Sequence, residues 1–356
     1  MQARARLLGL FGLLGLLGLL PAFAEQPALV RFAVIGDSGT GNNHQQRIAR
    51  QMLAWHDRLP YDLTLMLGDN IYGGLFGLGG GNRKDFARKF DRPYAALRAR
   101  GVVFRAALGN HDLRHRKGQD LVEAYDRFHI DGPHGYYNFT AGQMPDGTPL
   151  VEFFVLNTGR LEKNQRDPAQ LAWLEAALAA SAARWRVAYF HHPIYSAGDR
   201  HGEDKKLRAK LEPLFLGSVW SGPVRAESAS KEKQALAPAV SGSGASAAQR
   251  RPAPRVQVVL SGHNHIYERF HPRQGILYFV VGASGKLRRG NARPRPDLAG
   301  VNDQTHSFLL VEATPNELRF LAIDETGHAF DCATLHRDAT VRVPACPATE
   351  ANTLSP

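Results

Sequence analysis

Arg255-Val256-Gln257-Val258-Val259-Leu260-Ser261-Gly262-His263-Asn264-His265 is an apolar run that stops at Ser-Gly and continues into two imidazoles one residue apart. The run has the length and β-branched content of a buried strand, and Ser261-Gly262 end it. Two histidines just past a strand end can reach one cleft, and neutral imidazole is a strong donor to divalent metals. Working outward, the same order of strand, glycine and ligand-type residue recurs at Phe32-Ala33-Val34-Ile35-Gly36-Asp37 and at Leu63-Thr64-Leu65-Met66-Leu67-Gly68-Asp69-Asn70. It recurs again from Val102 to Leu108, followed by Gly109-Asn110-His111-Asp112, and Arg186-Val187-Ala188-Tyr189-Phe190 runs into His191-His192-Pro193. Strand ends that each carry Asp, Asn or His predict one crevice along one edge of a sheet, where open α/β folds place ligands. So many oxygen and nitrogen donors suit two divalent or trivalent cations, with the carboxylates supplying charge and bridging oxygens.

The start of the chain reads as an export signal over residues 1–24. Arg4 and Arg6 precede the apolar stretch Leu7 to Leu20, and Ala22-Phe23-Ala24 is a small-x-small cleavage site. That stretch is shorter than the roughly 20 residues a membrane span needs. The expectation is therefore a secreted protein, extracellular or periplasmic, with no membrane span after cleavage. Composition allows one large domain over 25–337, with 338–356 as a tail: the 356 residues are 44% hydrophobic, enough for a sizeable core. The formal net charge of +11 falls to +9 without Arg4 and Arg6, which favours anionic substrates. The basic residues are scattered and lack interleaved aromatics, so no specific nucleic-acid partner is expected. Cys332 and Cys346 can pair in an exported protein, but two thiolates cannot build a closed zinc site.

Helix-period apolar residues at Ile48, Met52 and Trp55 predict a helix over Gln45–Trp55, and the strand after it makes a β-α-β unit with parallel pairing. A single helix is expected over Lys84–Arg100 with Phe86, Phe90 and Leu97 inward. Asp167-Pro168 caps another from Ala169 to about Ala183, burying Leu171, Leu174 and Leu178. Lys205–Phe215 reads as a further amphipathic helix. Tyr136–Phe139, Val151–Asn157, Ile276–Val281 and Ser307–Ile323 read as strands, with Asp324-Glu325-Thr326-Gly327 as a hairpin turn. Two segments lack a core pattern: the glycine-rich Gly73–Gly81 and the low-complexity insertion at about 221–254.

In order and context, Gly36-Asp37, Gly68-Asp69-Asn70, Gly109-Asn110-His111-Asp112, His191-His192-Pro193 and Gly262-His263-Asn264-His265 resemble the calcineurin-like metallophosphoesterases. Tyr72, three residues after Asp69, makes the chain more narrowly similar to the small, tartrate-resistant type of purple acid phosphatase. The resemblance implies an α/β (α+β) fold, a four-layer αββα sandwich of two mixed sheets with a binuclear metal site at the strand ends. It implies Asp37, Tyr72 and His265 on one metal, Asn110, His191 and His263 on the other, and Asp69 between them. Fe(III) with Fe(II), Zn(II) or Mn(II) is the implied pair, since phenolate suits Fe(III). Adjacent strand residues face opposite ways, so only one of His191 and His192 should reach the metals. The family's His-x-Pro pattern picks His191.

The implied chemistry is hydrolysis of phosphate monoesters, an acid phosphatase activity, by in-line attack of a metal-bridging hydroxide. His111 is the expected leaving-group acid, with Asp112 holding its ring, and His201 resembles a second substrate-side histidine. The loop carrying His201 is one residue longer than in related phosphatases. Asn110, His111 and His201 would contact the substrate, a small phosphate ester. His115, His129, His134 and His271 read as surface or packing residues, and Asn157 stands where relatives often carry aspartate. The same site could serve phosphodiesters, and a secreted phosphate- or metal-binding protein without turnover is the reading from a different class. Nothing in the pattern specifies an oligomeric state.

Overall fold

In chain order the strands are β1 (Val30–Ile35), β2 (Leu63–Leu67), β3 (Val103–Ala107), β4 (Tyr137–Gln143), β5 (Pro149–Val155), β6 (Trp185–Phe190) and β7 (Val258–Ser261). They continue as β8 (Tyr267–Phe270), β9 (Leu277–Val281), β10 (Leu298–Asn302), β11 (Ser307–Ala313), β12 (Glu317–Asp324), β13 (Ala329–His336) and β14 (Val341–Arg342). This computed structural model describes residues 28–73, 83–114, 126–161, 167–218 and 254–347. The export signal, most of the glycine-rich loop, His115 and nearly all of the 221–254 insertion lie outside the described residues.

The strands form two sheets, ordered β14-β13-β12-β11-β1-β2-β3 and β10-β8-β9-β7-β6-β5-β4. β1, β2 and β3 are parallel, as are β5, β6, β7 and β9. The ligand-bearing strands are thus divided: three in one sheet and two in the other. The single-sheet edge expected from the sequence is in fact a rim shared by two stacked sheets. Period-two alternation explains the stacking. Val187, Tyr189, Val258 and Leu260 join Phe32, Val34 and Leu65 in the core between the sheets, whereas Ala188, Phe190 and Val259 face outward.

Helices cover both outer faces. α1 (Asn43–Arg58) begins where Asn42 Oδ1 accepts a hydrogen bond from the Gln45 N–H at 2.9 Å, and it buries Ile48, Met52 and Trp55. On the other face, residues 168–180 and 205–215 are helical. Asp167 and Asp204 cap their first turns, and Leu171, Leu174, Leu207 and Leu211 pack beneath Phe190 and Val259. Cutting one of these leucines to alanine costs about 2–5 kcal/mol. The result is the four-layer αββα sandwich.

The helix expected over Lys84–Arg100 is broken. It is α-helical at Arg83–Phe86, widens to a π turn at Ala87–Asp91, and resumes at Ala95–Ala99. Pro93 has no N–H to donate and crowds the carbonyl four residues back, so the ladder slips to the Arg92 N–H→Ala87 C=O bond at 3.0 Å. Phe86, Phe90 and Leu97 are nevertheless buried as expected. The distorted turn points Lys89 inward, where its ammonium pairs with Asp85 at 2.6 Å and donates to the Tyr72 carbonyl. Among the described residues no helix is long and apolar enough to cross a membrane.

The sheet also runs past the expected domain end at Arg337. β14 pairs with β13 through Thr334↔Arg342 and Leu335↔Val341, and a Cys332–Cys346 disulfide ties down the segment beyond it. With a sequence separation of 14, the bridge restricts the unfolded chain by up to about 3 kcal/mol. Reduction should speed hydrogen exchange at Val341 and Arg342 while leaving the β11–β12 amides protected. Exchange at β14 that ignores reductant would show that β14 does not depend on the bridge.

Candidate metal centre

Three of the expected ligands sit in left-handed backbone directly after a strand and a glycine or serine-glycine pair: Asp37 (φ 54°), Asp69 (φ 51°) and His263 (φ 68°). A non-glycine residue there costs about 1–3 kcal/mol and persists only where its surroundings hold it. Here they do. The Asp37 N–H donates to the Gly68 carbonyl at 3.1 Å, and the His263 N–H donates to Asp37 Oδ2 at 2.7 Å. Gly109 lets the loop after β3 close on Asp69, since a Cβ there would lie 2.2 Å from the Asp69 nitrogen. The Asp112 carboxylate staples the same two loops, accepting from the N–H groups of Gly109 at 2.9 Å, Asn70 at 3.1 Å and Ile71 at 3.2 Å.

The donors gather in two clusters. In one, the Tyr72 hydroxyl donates to Asp37 Oδ1 at 2.9 Å and lies 3.3 Å from His265 Nε2. In the other, His191 Nε2 lies 3.1 Å from Asn110 Oδ1, 3.2 Å from His263 Nδ1 and 3.4 Å from Asp69 Oδ1. His191 Nδ1 is 2.8 Å from the Leu67 carbonyl, a contact that makes Nδ1 the donor and turns the Nε2 lone pair toward the cluster. Donor atoms of Asp37, Asp69 and His191 lie within 4.8 Å of one another and join the clusters. Atoms that each sit about 2.1 Å from one cation lie about 3 Å apart, which is the spacing seen here. The set fits two cations: Asp37, Tyr72 and His265 could hold one, Asn110, His191 and His263 the other, with Asp69 shared.

Charge supports the fit. Burial pulls the His191 imidazole down, but the Asp69 carboxylate outweighs it and raises the group to about 10. Asp69, despite burial, is held well below the usual carboxylate range by His191. Burial, and then the carboxylates of Asp37 and Asp69, push the Tyr72 phenol far up, while burial and His191 pull His263 far down. Positive charge beside Asp69, whether a proton on His191 or a bound cation, is thus favoured at this point.

A cavity of about 530 Å³ opens over the donors. His111 lines it, with its N–H on Asp69 Oδ1 at 2.8 Å and its ring 4.7 Å from that of Tyr72. His201 also lines it despite the longer loop, its ring 4.5 Å from His263, and burial and His265 lower its basicity. His192 lines the cavity as well, while His191 is the one of the adjacent pair that faces Asn110 and Asp69. β6 ends at Phe190, so strand alternation no longer governs the pair, and the His192 ring lies 4.6 Å from His263. Its Nδ1 is engaged with Thr158 Oγ1 at 2.8 Å. Asn157 donates to the His134 carbonyl at 3.0 Å and His129 Nδ1 lies 3.1 Å from the Phe104 carbonyl, both in packing roles.

Sequence reasoning missed Arg200, Lys286 and Arg288, which line the same cavity. They are single basic residues in loops and carry no spacing signal. It also missed the support beneath them. Buried Glu268 accepts from Ser196 Oγ at 2.6 Å and the Ala197 N–H at 2.7 Å, and Ser196 Oγ accepts from Asn264, between the two histidines, at 2.6 Å.

A two-sheet sandwich whose parallel strand ends converge on such a donor set defines a metal-dependent phosphoesterase. The chain belongs to the calcineurin-like phosphoesterase family, whose sequence profile matches residues 30–267. It is 29% identical over 328 residues to purple acid phosphatase 17 of Arabidopsis thaliana, covering 85% of this chain and 83% of that one. It is 23% identical over 341 residues to tartrate-resistant acid phosphatase type 5 of Sus scrofa, covering 87% and 88%. Among solved structures, the fold is similar to Plasmodium GAP50, described as the anchor in the inner membrane complex (TM-score 0.65, 16% identity, covering 87% and 89%). It is also similar to purple acid phosphatase PPD1 from yellow lupin, Lupinus luteus, seeds (TM-score 0.61, 16% identity, covering 88% and 55%).

Two outcomes test this construction. Gly109→Ala should displace Asp69 and lower metal content well below that of the parent protein; full metal content would show that the loop can yield. Burial raises Glu268 to about 7 although Ser196 and Ala197 pull it down. Because this folded value lies above the ordinary carboxylate one, its contribution is complete below about pH 4.5 and fades as pH climbs through 7. The loss amounts to roughly 3 kcal/mol at most. Urea unfolding between pH 4.5 and 7.5 should show that slope in the parent and a flatter one in Glu268→Gln; parallel curves would exclude Glu268 as its source.

Proposed function

We propose that the chain is a secreted phosphatase that hydrolyses phosphate monoesters. The observation that carries this reading is the pairing of the Tyr72–Asp37–His265 and Asn110–His191–His263 clusters around Asp69 at the floor of an open cavity. Family membership and the purple acid phosphatase relatives support it. Export rests on the signal pattern at residues 1–24, with which the Cys332–Cys346 bridge agrees. Tyr72 favours iron(III) as one of two cations, with iron(II), zinc or manganese as the second.

Two cations bound there supply Lewis acidity and lower the pKa of water toward neutrality. The chain's own groups do the rest. Asn110 and His201 border the space for the phosphoryl group and orient it by hydrogen bonds. His111, beside Tyr72 and fixed through its backbone to Asp69, gives its proton to the departing alkoxide oxygen. Asp112 acts at one remove, by holding the loops that carry Asp69 and His111.

The reading is tested on the protein purified from the exported fraction by metal analysis, a visible spectrum and turnover of p-nitrophenyl phosphate in one sample. About two metals per chain, a tyrosinate-to-iron band lost in Tyr72→Phe, and monoester turnover are expected. Asp69→Ala should lose metal and turnover together. His111→Ala should keep metal and lose about 10²–10⁴-fold in rate. Preferential turnover of the bis ester would move the activity to phosphodiesters, and two bound metals without turnover of either would leave a binding protein.

A further inference from the structure

We propose that His44, His306 and Glu325 form a further metal site, for a single zinc ion, that fastens the first turn of α1 to the start of β11 and to the turn between β12 and β13. It shares no residue with the candidate metal centre and stands independently of the phosphatase reading.

The first observation is the donor set. Each of the three residues offers one ligand atom, and these atoms lie within 4.8 Å of one another. Both imidazoles turn Nδ1 to the same carboxylate: His44 Nδ1 is 2.8 Å from Glu325 Oε2, and His306 Nδ1 is 3.8 Å from Glu325 Oε1. The two rings are stacked, with centres 3.9 Å apart and planes 20° from parallel, so their nitrogens stand side by side. Two imidazoles and a carboxylate, with a fourth position left to water, suit zinc, whereas calcium and magnesium take oxygen ligands. Ligand atoms around one tetrahedral zinc stand about 3.3 Å apart, between the two distances found here.

The second observation is that hydrogen bonding within the protein leaves two of these atoms unsettled. His306 is only 5% exposed, and its Nδ1 is buried with no hydrogen-bond partner among the described residues. Such a nitrogen has lost water and gained nothing in exchange. His44 Nδ1 has the opposite problem. It lies 2.8 Å from Glu325 Oε2 and 2.7 Å from Arg47 Nη2. A carboxylate only accepts and a guanidinium only donates, so one ring nitrogen can satisfy one of them and not both. An ion held by both Nδ1 atoms and the carboxylate resolves the two conflicts together.

The third observation is how the ligands are mounted. The Glu325 N–H donates to the His306 carbonyl at 2.9 Å, which fixes two of them to each other through the backbone. Trp55 Nε1 donates to the Gly327 carbonyl at 3.2 Å, which holds the turn against α1, and the Asn42 cap sets the helical turn that presents His44. His306 is anchored through the next residue, since the Ser307 N–H donates to the Ala283 carbonyl at 3.1 Å and Ser284 Oγ donates to the Ser307 carbonyl at 2.9 Å. Arg47 is the built-in competitor. Its Nε donates to Glu325 Oε2 at 2.9 Å, but its side chain is 39% exposed and can turn into solvent when an ion takes the carboxylate.

The test is equilibrium dialysis of the metal-depleted full chain against zinc, with hydrogen exchange on the same samples. In Asp69→Ala, which disables the candidate metal centre, about one zinc ion per chain should still bind, and it should slow exchange at the amides of Glu325 and Ser307. Adding His306→Ala should weaken that zinc by more than the roughly 10–100-fold that loss of an outer-shell partner costs. Arg47→Met, which removes the competing charge, should tighten it about tenfold. The parent gives a check that does not depend on how well Asp69→Ala folds: His306→Ala alone should bind about one ion fewer. Zinc uptake that His306→Ala leaves unchanged in both backgrounds, or uptake without slower exchange at Glu325 and Ser307, would overturn the site.

Discussion

Two carboxylates, Asp37 and Asp69, are almost wholly buried within a few ångströms of one another, and the rest of the rim is arranged to make that tolerable. Taking even one charge out of water costs several kcal/mol unless it is compensated. Part of the compensation is permanent. The His263 N–H serves Asp37 and the His111 N–H serves Asp69, each drawing in a loop from another strand. The remainder is positive charge that the site favours beside Asp69, as the raised basicity of His191 shows. Folding of the rim and occupancy of the centre are therefore one thermodynamic problem, since whatever neutralises the pair also secures the loops that contain it.

The polarity of the strands follows from the same demand. Carboxyl ends of parallel strands can deliver short loops to one place only when they point the same way. β1, β2 and β3 do this from one sheet and β6 and β7 from the other, and the inter-sheet core of alternating apolar residues holds the two sets in register. Antiparallel strands fill the flanks, where no ligand is required. Lys89, turned inward on its π turn, extends the scaffold to Tyr72 by binding its carbonyl.

How much of this was legible in the sequence depended on whether the physics was local. Strand, glycine and ligand stand next to one another along the chain, so Asp37, Asp69, Asn110, His263 and His265 could be read directly, as could Tyr72 and His191 with the family pattern beside them. That the motifs divide between two sheets was not legible, because an apolar run does not say which sheet it joins. The break at Pro93 was readable from proline's missing donor, yet Phe86, Phe90 and Leu97 fit a continuous helix well enough to hide it. That His192 would also border the cavity was not legible from strand alternation, because the strand stops just before the pair begins. Arg200, Lys286, Arg288 and Glu268 gain their meaning from partners tens of residues away, and a lone charged residue in a loop looks like any solvated one.

The chain of contacts from Glu268 through Ser196 to Asn264 has a consequence for how such a protein can diverge. Asn264 lies between His263 and His265, while Ser196 begins the segment that carries Arg200 and His201. One hidden glutamate thus underpins both the floor of the cavity and one of its walls. Substitutions that reshape this wall are transmitted to the candidate donors His263 and His265 on either side of Asn264. Selectivity changes made through this loop are therefore tied to the candidate donors His263 and His265 indirectly, through a buried contact, whereas changes in the loops after β2 and β3 act on Asp69, Tyr72 and Asn110 directly.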